Sequence, residues 1–315
     1  MPNLFVQPQP RSPAMAANLY PIPQRNRILT SLAWGTTLLV SALPDIIWAE
    51  LIGSPPAGLV LARLALLVGL ALTALMWRPL RPLRNYFLVL LAFFGLAELR
   101  PRLNFRLPAL QSLFGGNVFD MRMQAEQTGK LVVALAMIGV LLALGYRHRE
   151  LFLARGDLRA PIEPVPLLGF PRPDPWPRFG LQWGVYIAIG LGVTLYLGLR
   201  PDAATLLKVV PILPSVLFYA GLNAFNEEVT YRAPLLATLE PVGGSRQALL
   251  MAAVFFGLPH YFGTPSGLLG AIAAIFMGWI LGKAMVETRG LFWSWWIHFL
   301  SDVVIFGFIA AGLLM

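Results

Sequence analysis

Six residues in the C-terminal part of this sequence could do chemistry together, and all lie in or at the edge of apolar segments: Glu227, Glu228, Arg232, His260, His298 and Asp302. Glu228 and Arg232 are four apart, so on a helix they share a face and can pair. Glu227 is turned about 100° from its neighbour and can point elsewhere. His298 and Asp302 are also four apart and project to one side, and Asn223 lies one turn before Glu227. The chain has three histidines; two stand in apolar segments and the third, His148, sits in a cationic loop. Two carboxylates beside an arginine, two imidazoles and a third carboxylate are a set for general acid–base work or for moving protons across a membrane. They assemble only if three helices converge.

Each feature also has a plain structural reading. Glu228–Arg232 alone is an ion pair at a helix end. His260, among Phe255, Phe256, Tyr261 and Phe262, is an interfacial residue in an aromatic belt. His298–Asp302 is a hydrogen-bonded pair that fixes helix packing. These readings are independent of one another, whereas a shared site explains all of them at once.

Composition says what must position these groups. Of 315 residues, 57% are hydrophobic and 12% charged, with a mean hydropathy of +0.68; soluble domains carry about 25% charged residues. The fold class expected is all-α, a polytopic transmembrane helical bundle. The net charge of +9 and pI near 10.3 do not point to nucleic acid, because the cations sit in loops between apolar runs. The absence of cysteine excludes disulfides and a thiol nucleophile. In such a chain a polar residue is costly: a charge at the bilayer centre costs about 2.5–3.5 kcal/mol on insertion scales.

The apolar runs are 28–48, 58–77, 86–99, 131–146, 181–199, 207–225, 248–262, 268–286 and 291–314. Two of them are short for a span, and about eight spans are expected. Residues 1–26 read as a cytoplasmic N-terminal tail without a signal peptide's apolar core. Residues 27–160 read as an N-terminal transmembrane region, 161–178 as an extended proline-rich linker, and 179–315 as a C-terminal transmembrane core. Arg78, Arg81 and Arg84, the cluster Arg147, Arg149, Arg155, Arg159, Arg172 and Arg178, and the tail's Arg11, Arg25 and Arg27 fall on one side, taken as the cytoplasm. A multi-pass protein of the plasma membrane with a cytoplasmic N-terminus is expected. The segment with Arg100, Arg102, Arg106, Arg122 and Lys130 disagrees with that topology. Either it is an interfacial or re-entrant helix, or 86–99 does not fully cross.

The polar residues resemble a known family. Glu227-Glu228-Val229-Thr230-Tyr231-Arg232 is similar to the Glu-Glu-x-x-x-Arg signature of CAAX prenyl proteases and bacteriocin-processing enzymes. Phe256 to His260 is similar to its Phe-x-x-x-His, Phe276 with Gly278 and Gly282 to its glycine-spaced helix, and His298 to Asp302 to its His-x-x-x-Asn/Asp. The resemblance covers roughly 214–305. Ala233 replaces the usual glycine after the arginine, and Asp302 stands where prenyl proteases have asparagine. Nothing in the motifs singles out prenylated substrates.

The resemblance implies an intramembrane endopeptidase acting on membrane-associated peptides or proteins. It implies that Glu227 takes a proton from the attacking water, that His260 helps hold that water, and that Arg232 neutralises Glu228. His298 and Asp302 would stabilise the oxyanion. No cofactor is favoured, and zinc is the alternative, since Glu, His and Asp are acceptable ligands; the His-Glu-x-x-His helix is absent. The partners expected are the lipid bilayer and a peptide or protein substrate, with no nucleic acid. A proton-coupled transporter or a non-catalytic membrane scaffold are the alternative functions.

Overall fold

The computed structural model describes residues 24–315. The expected tail lies outside these residues, save its last three, which open the first helix. The described residues are helical, with two isolated β-bridges and no strand. The helices are α1 (Gln24–Val40), α2 (Leu43–Leu51), α3 (Gly58–Met76), α4 (Arg84–Leu99), α5 (Pro108–Phe114), α6 (Val118–Ala143), α7 (Trp176–Leu199), α8 (Ala203–Val209), α9 (Leu213–Glu227), α10 (Ala233–Gly257), α11 (Gly267–Thr288) and α12 (Phe292–Leu314). Among the described residues, seven helical stretches are long and apolar enough to cross a membrane, or eight if the bent pair α1–α2 is one span. The expectation of a polytopic helical bundle with about eight spans holds. Apolar side chains such as Leu61, Leu72, Ile189, Val193, Leu268 and Ile272 stay exposed, as a bilayer-facing surface requires.

One stretch, Ala203–Phe262, is 60 residues long, about 90 Å if straight and three times the hydrocarbon thickness. It folds back. Gly244 has φ 79° and ψ 165°, outside the helical region and open to glycine. On either side of it the arms meet: the Tyr231 ring lies 6.5 Å from that of Phe255 and 6.0 Å from that of Phe256. On one straight helix those residues would stand about 36 Å apart. The lower arm is itself irregular. Glu228–Arg232 forms one π-turn between α9 and α10, and the return arm tightens into a 3-10 turn over Leu258–Phe262.

The return arm packs closely on α11 because α11 is small there. A Cβ on Gly278 would stand 3.3 Å from the Ala253 Cα, and one on Gly282 would meet Leu249. A Cβ on Gly257 would lie 2.5 Å from the Ile275 backbone nitrogen. The outer helices α7 and α9 pack against α12. α7 approaches through Gly180 against Trp293 and Gly184 against Ile297 and Leu300, and α9 contributes Val216, Tyr219 and Ala220 to a cluster with Phe306 and Ala310.

The structure adds detail to three readings of the sequence. The run expected at 131–146 belongs to α6, which starts at Val118 with Asn117 accepting from the Asp120 N–H. The first turns of α6 are polar because Asp120, Gln124 and Gln127 are buried against protein rather than lipid. As for 86–99, the run lies inside a 25-residue helical stretch, Arg78–Arg102, that is long and apolar enough to cross, and among the described residues the cationic segment after it holds the short α5 and the start of α6. Finally, the proline-rich segment is extended but is not a free spacer. Ile162, Phe170 and Trp176 are buried in a cluster with Ile280, Leu281 and Ile297, Trp176 already opens α7, and the Glu163 carbonyl accepts from Lys283 Nζ at 3.1 Å.

Candidate active site

The site is built around His298, which α12 presents toward α9 and the π-turn. His298 Nδ1 lies 2.8 Å from Glu228 Oε1. Its Nε2 faces Glu227 Oε2 at 3.6 Å and Asp302 Oδ2 at 3.5 Å. The ring is thus bracketed by all three carboxylates that the sequence singles out. The π-turn makes this possible: it keeps Glu228 and Arg232 paired along one face while Glu227 turns to the other side of the imidazole.

Glu228 is the buried anchor. It accepts from Arg232, from the Ser294 hydroxyl and from His298. Glu228 and Arg232 side chains are both fully enclosed. The guanidinium also lies over the Phe256 ring, 4.5 Å from its centroid, a cation–π contact. Glu227 is different, with 16% of its side chain exposed.

Asp302 is an acceptor. Its Oδ2 takes a hydrogen bond from Asn223 Nδ2 at 2.9 Å. Asn223, on α9, in turn accepts through Oδ1 from Lys130 Nζ at 2.7 Å.

His260 is near the others without touching them. The Phe256 ring centroid is 4.8 Å from that of His260 and 5.9 Å from that of His298, so the phenyl ring stands beside both imidazoles. His260 Nδ1 lies 2.9 Å from the Phe256 carbonyl. A carbonyl only accepts, so Nδ1 carries the hydrogen and Nε2 of the neutral ring keeps a lone pair. The residue sits in the 3-10 turn over Leu258–Phe262, where the rise per residue is about 2.0 Å against about 1.5 Å in the α-helix before it.

Two partners were not singled out from the sequence. Ser294 carries no signal, since a lone serine in an apolar helix is common. Lys130 had one: Asp120, Gln124, Gln127 and Lys130 recur at helical spacing, which puts them on one face of a helix. Lys130 reaches Glu227 Oε1 at 3.0 Å and Glu126 Oε1 at 3.3 Å.

Among the described residues no three His, Asp or Glu side chains are placed to hold one metal, and Glu227 and Glu228 are engaged by Lys130 and Arg232 respectively.

Fold and site define a polytopic helical membrane protein with an enclosed acid–base cluster at the meeting of α6, α9, α10 and α12. Residues 209–304, about a third of the chain, match the family described as Type II CAAX prenyl endopeptidase Rce1-like, in agreement with the resemblance of the motifs. The matched region holds Glu227, Glu228, Arg232, His260, His298 and Asp302; Lys130 lies outside it. Comparison with curated proteins and with solved structures found no match.

Proposed function

We propose that this integral membrane protein is an intramembrane endopeptidase that hydrolyses peptide bonds of membrane-associated peptides or proteins with a glutamate-activated water. The observation that carries the reading is the bracketing of His298, with Glu228 on Nδ1 and Glu227 and Asp302 on Nε2, beside a partly exposed Glu227.

Glu227 Oε2 takes a proton from water, and the hydroxide forms a bond to the scissile carbonyl carbon. The Nε2 lone pair of His260 accepts the water's other hydrogen and fixes its orientation. The developing oxyanion needs donors. The protonated His298 ring, with Nδ1–H given to Glu228, presents Nε2–H. The Asn223 amide has a second hydrogen beyond the one that Asp302 accepts. Asp302 itself orients His298 as an acceptor, which accounts for a carboxylate at this position. When the tetrahedral intermediate collapses, the C–N bond breaks and Glu227 returns its proton to the leaving amine. Glu228 and Arg232 hold the imidazole and touch no reacting atom.

The mechanism proposed uses no metal, with zinc as the alternative. The reading includes a plasma-membrane location with a cytoplasmic N-terminus, and the cationic loops support that orientation.

The test is cleavage by detergent-purified protein of a panel of membrane peptides, with a prenylated CAAX peptide included. Cleavage by the wild type, lost in Glu227→Gln, is the result expected. A Glu227→Gln variant as active as the wild type would overturn the reading.

A further inference from the structure

Lys130 is the one cation of the polar cluster that the mechanism above leaves unused. It stands on α6, outside the matched family region, and enters the site from the N-terminal half of the chain. Its ammonium has three hydrogens and three acceptors at hand: Asn223 Oδ1 at 2.7 Å, Glu227 Oε1 at 3.0 Å and Glu126 Oε1 at 3.3 Å. The side chain is 19% exposed. A lysine on a helix surface has many rotamers open to it, and this one is committed to a single direction.

The two oxygens of Glu227 are thereby made unequal. Oε1 is taken by Lys130, while Oε2 faces His298 Nε2 and is the oxygen left to accept a proton. The same ammonium fixes Asn223 Oδ1, which sets the direction of the Asn223 amide hydrogens toward Asp302. One cation from α6 thus orients the base on one side of the imidazole and the amide on the other. It also supplies a positive charge where four carboxylates, those of Glu126, Glu227, Glu228 and Asp302, gather with Arg232 as the other fixed cation.

We infer that Lys130 is a positioning residue of the active site, which holds Glu227 by Oε1 so that Oε2 is the proton acceptor, and which makes the N-terminal half of the chain part of the catalytic assembly. The inference rests on the hydrolase reading above.

The chain contains no cysteine, so Lys130→Cys introduces a single thiol. Its thiolate displaces bromide from 2-bromoethylamine to form a thioether that ends in an ammonium of nearly lysine length, and displaces iodide from iodoacetamide to form a neutral amide. Mass spectrometry verifies each product, and kcat and KM are read on a peptide that the wild type cleaves. Loss of alignment by about 1 Å costs about 100-fold in rate. We expect a fall in kcat of that order in Lys130→Cys with KM little changed, recovery with the ammonium adduct, and no recovery with the neutral one. Wild-type kcat in Lys130→Cys, or equal recovery with both adducts, would overturn the inference. Where the thiol does not react, Lys130→Arg against Lys130→Met decides: the arginine variant is expected to keep more kcat, and equal losses overturn the role. Glu227→Gln in the same assay separates the two levels. If it is active, Glu227 is not the base and the glutamate mechanism fails; if it is inactive while Lys130→Cys runs at the wild-type rate, this inference alone fails.

Discussion

His298 and Glu228 meet through a 2.8 Å contact from Nδ1 to Oε1, and that contact fixes which edge of the imidazole faces the open side of the site. Glu228 also carries Arg232 and Ser294, so removing it and removing one of its partners should differ. Glu228→Ala leaves the buried guanidinium without its carboxylate, a change that costs about 3–5 kcal/mol. Ser294→Ala removes one hydroxyl donor, worth about 1 kcal/mol. Thermal unfolding of the detergent-purified variants should rank them in that order, and equal melting temperatures would contradict the anchor role of Glu228.

Glu227 and Arg232 should separate chemistry from folding. Glu227→Gln keeps the shape of the side chain at a partly exposed position and should abolish cleavage with near-normal abundance. Arg232→Ala uncovers Glu228 in an enclosed site and should lower abundance and activity together, again by about 3–5 kcal/mol of stability. Monodispersity on size-exclusion chromatography and cleavage rate, measured on the same preparations, check the pair; equal stability of the two would count against these roles.

Asp302→Asn tests the acceptor position and the metal question at once. The substitution exchanges a charge-assisted hydrogen bond for a neutral one, about 1 kcal/mol and about fivefold in rate. Cleavage should therefore persist, slower by about that factor. Metal content assayed on wild type and variant should show no stoichiometric zinc in either. An inactive variant that has also lost bound zinc would replace the metal-free mechanism with the zinc alternative.

Two glycines next to the site predict outcomes of different size. A Cβ at Gly257 would stand 2.5 Å from the Ile275 backbone nitrogen and 2.7 Å from its Cα; backbone cannot step aside locally, so Gly257→Ala should cost about 1–3 kcal/mol and disturb His260 three residues on. A Cβ at Gly282 would meet the tip of Leu249 at 2.5 Å, with the Arg232 Cδ 3.6 Å away; a leucine tip can rotate, so Gly282→Ala should be the milder change. Melting temperatures and cleavage rates of the two variants decide.

How much of this was legible in the sequence depended on contrast with lipid. Glu227, Glu228, Arg232, His298 and Asp302 stand out because hydrocarbon penalises them, and the structure brings them together. His260 stood out for the same reason, and the structure sets it beside Phe256 rather than in contact with the other imidazole. Lys130 failed to stand out because its neighbours on α6 are also polar, and a polar helix face turned toward protein reads like a loop. The fold class was evident from apolar content, whereas the start of α6 at Val118 and the packing of Ile162, Phe170 and Trp176 depend on tertiary partners that no local pattern reveals. Setting His260 level with His298 calls for an irregular or tilted helix over 247–262, which the local pattern does not reveal; the structure has a 3-10 turn over Leu258–Phe262.

The reversal at Gly244 makes the depth of the site a matter of matched arm lengths. Gly244 lies near the midpoint of the sequence between Glu227 and His260, so the chain descends from one and climbs back to the other over nearly equal distances. An added residue in one arm would slide its end by about 1.5 Å and swing it by about 100°, and only a matching residue in the other arm would restore the level. Length changes in this hairpin are therefore tolerated in pairs or at the reversal itself.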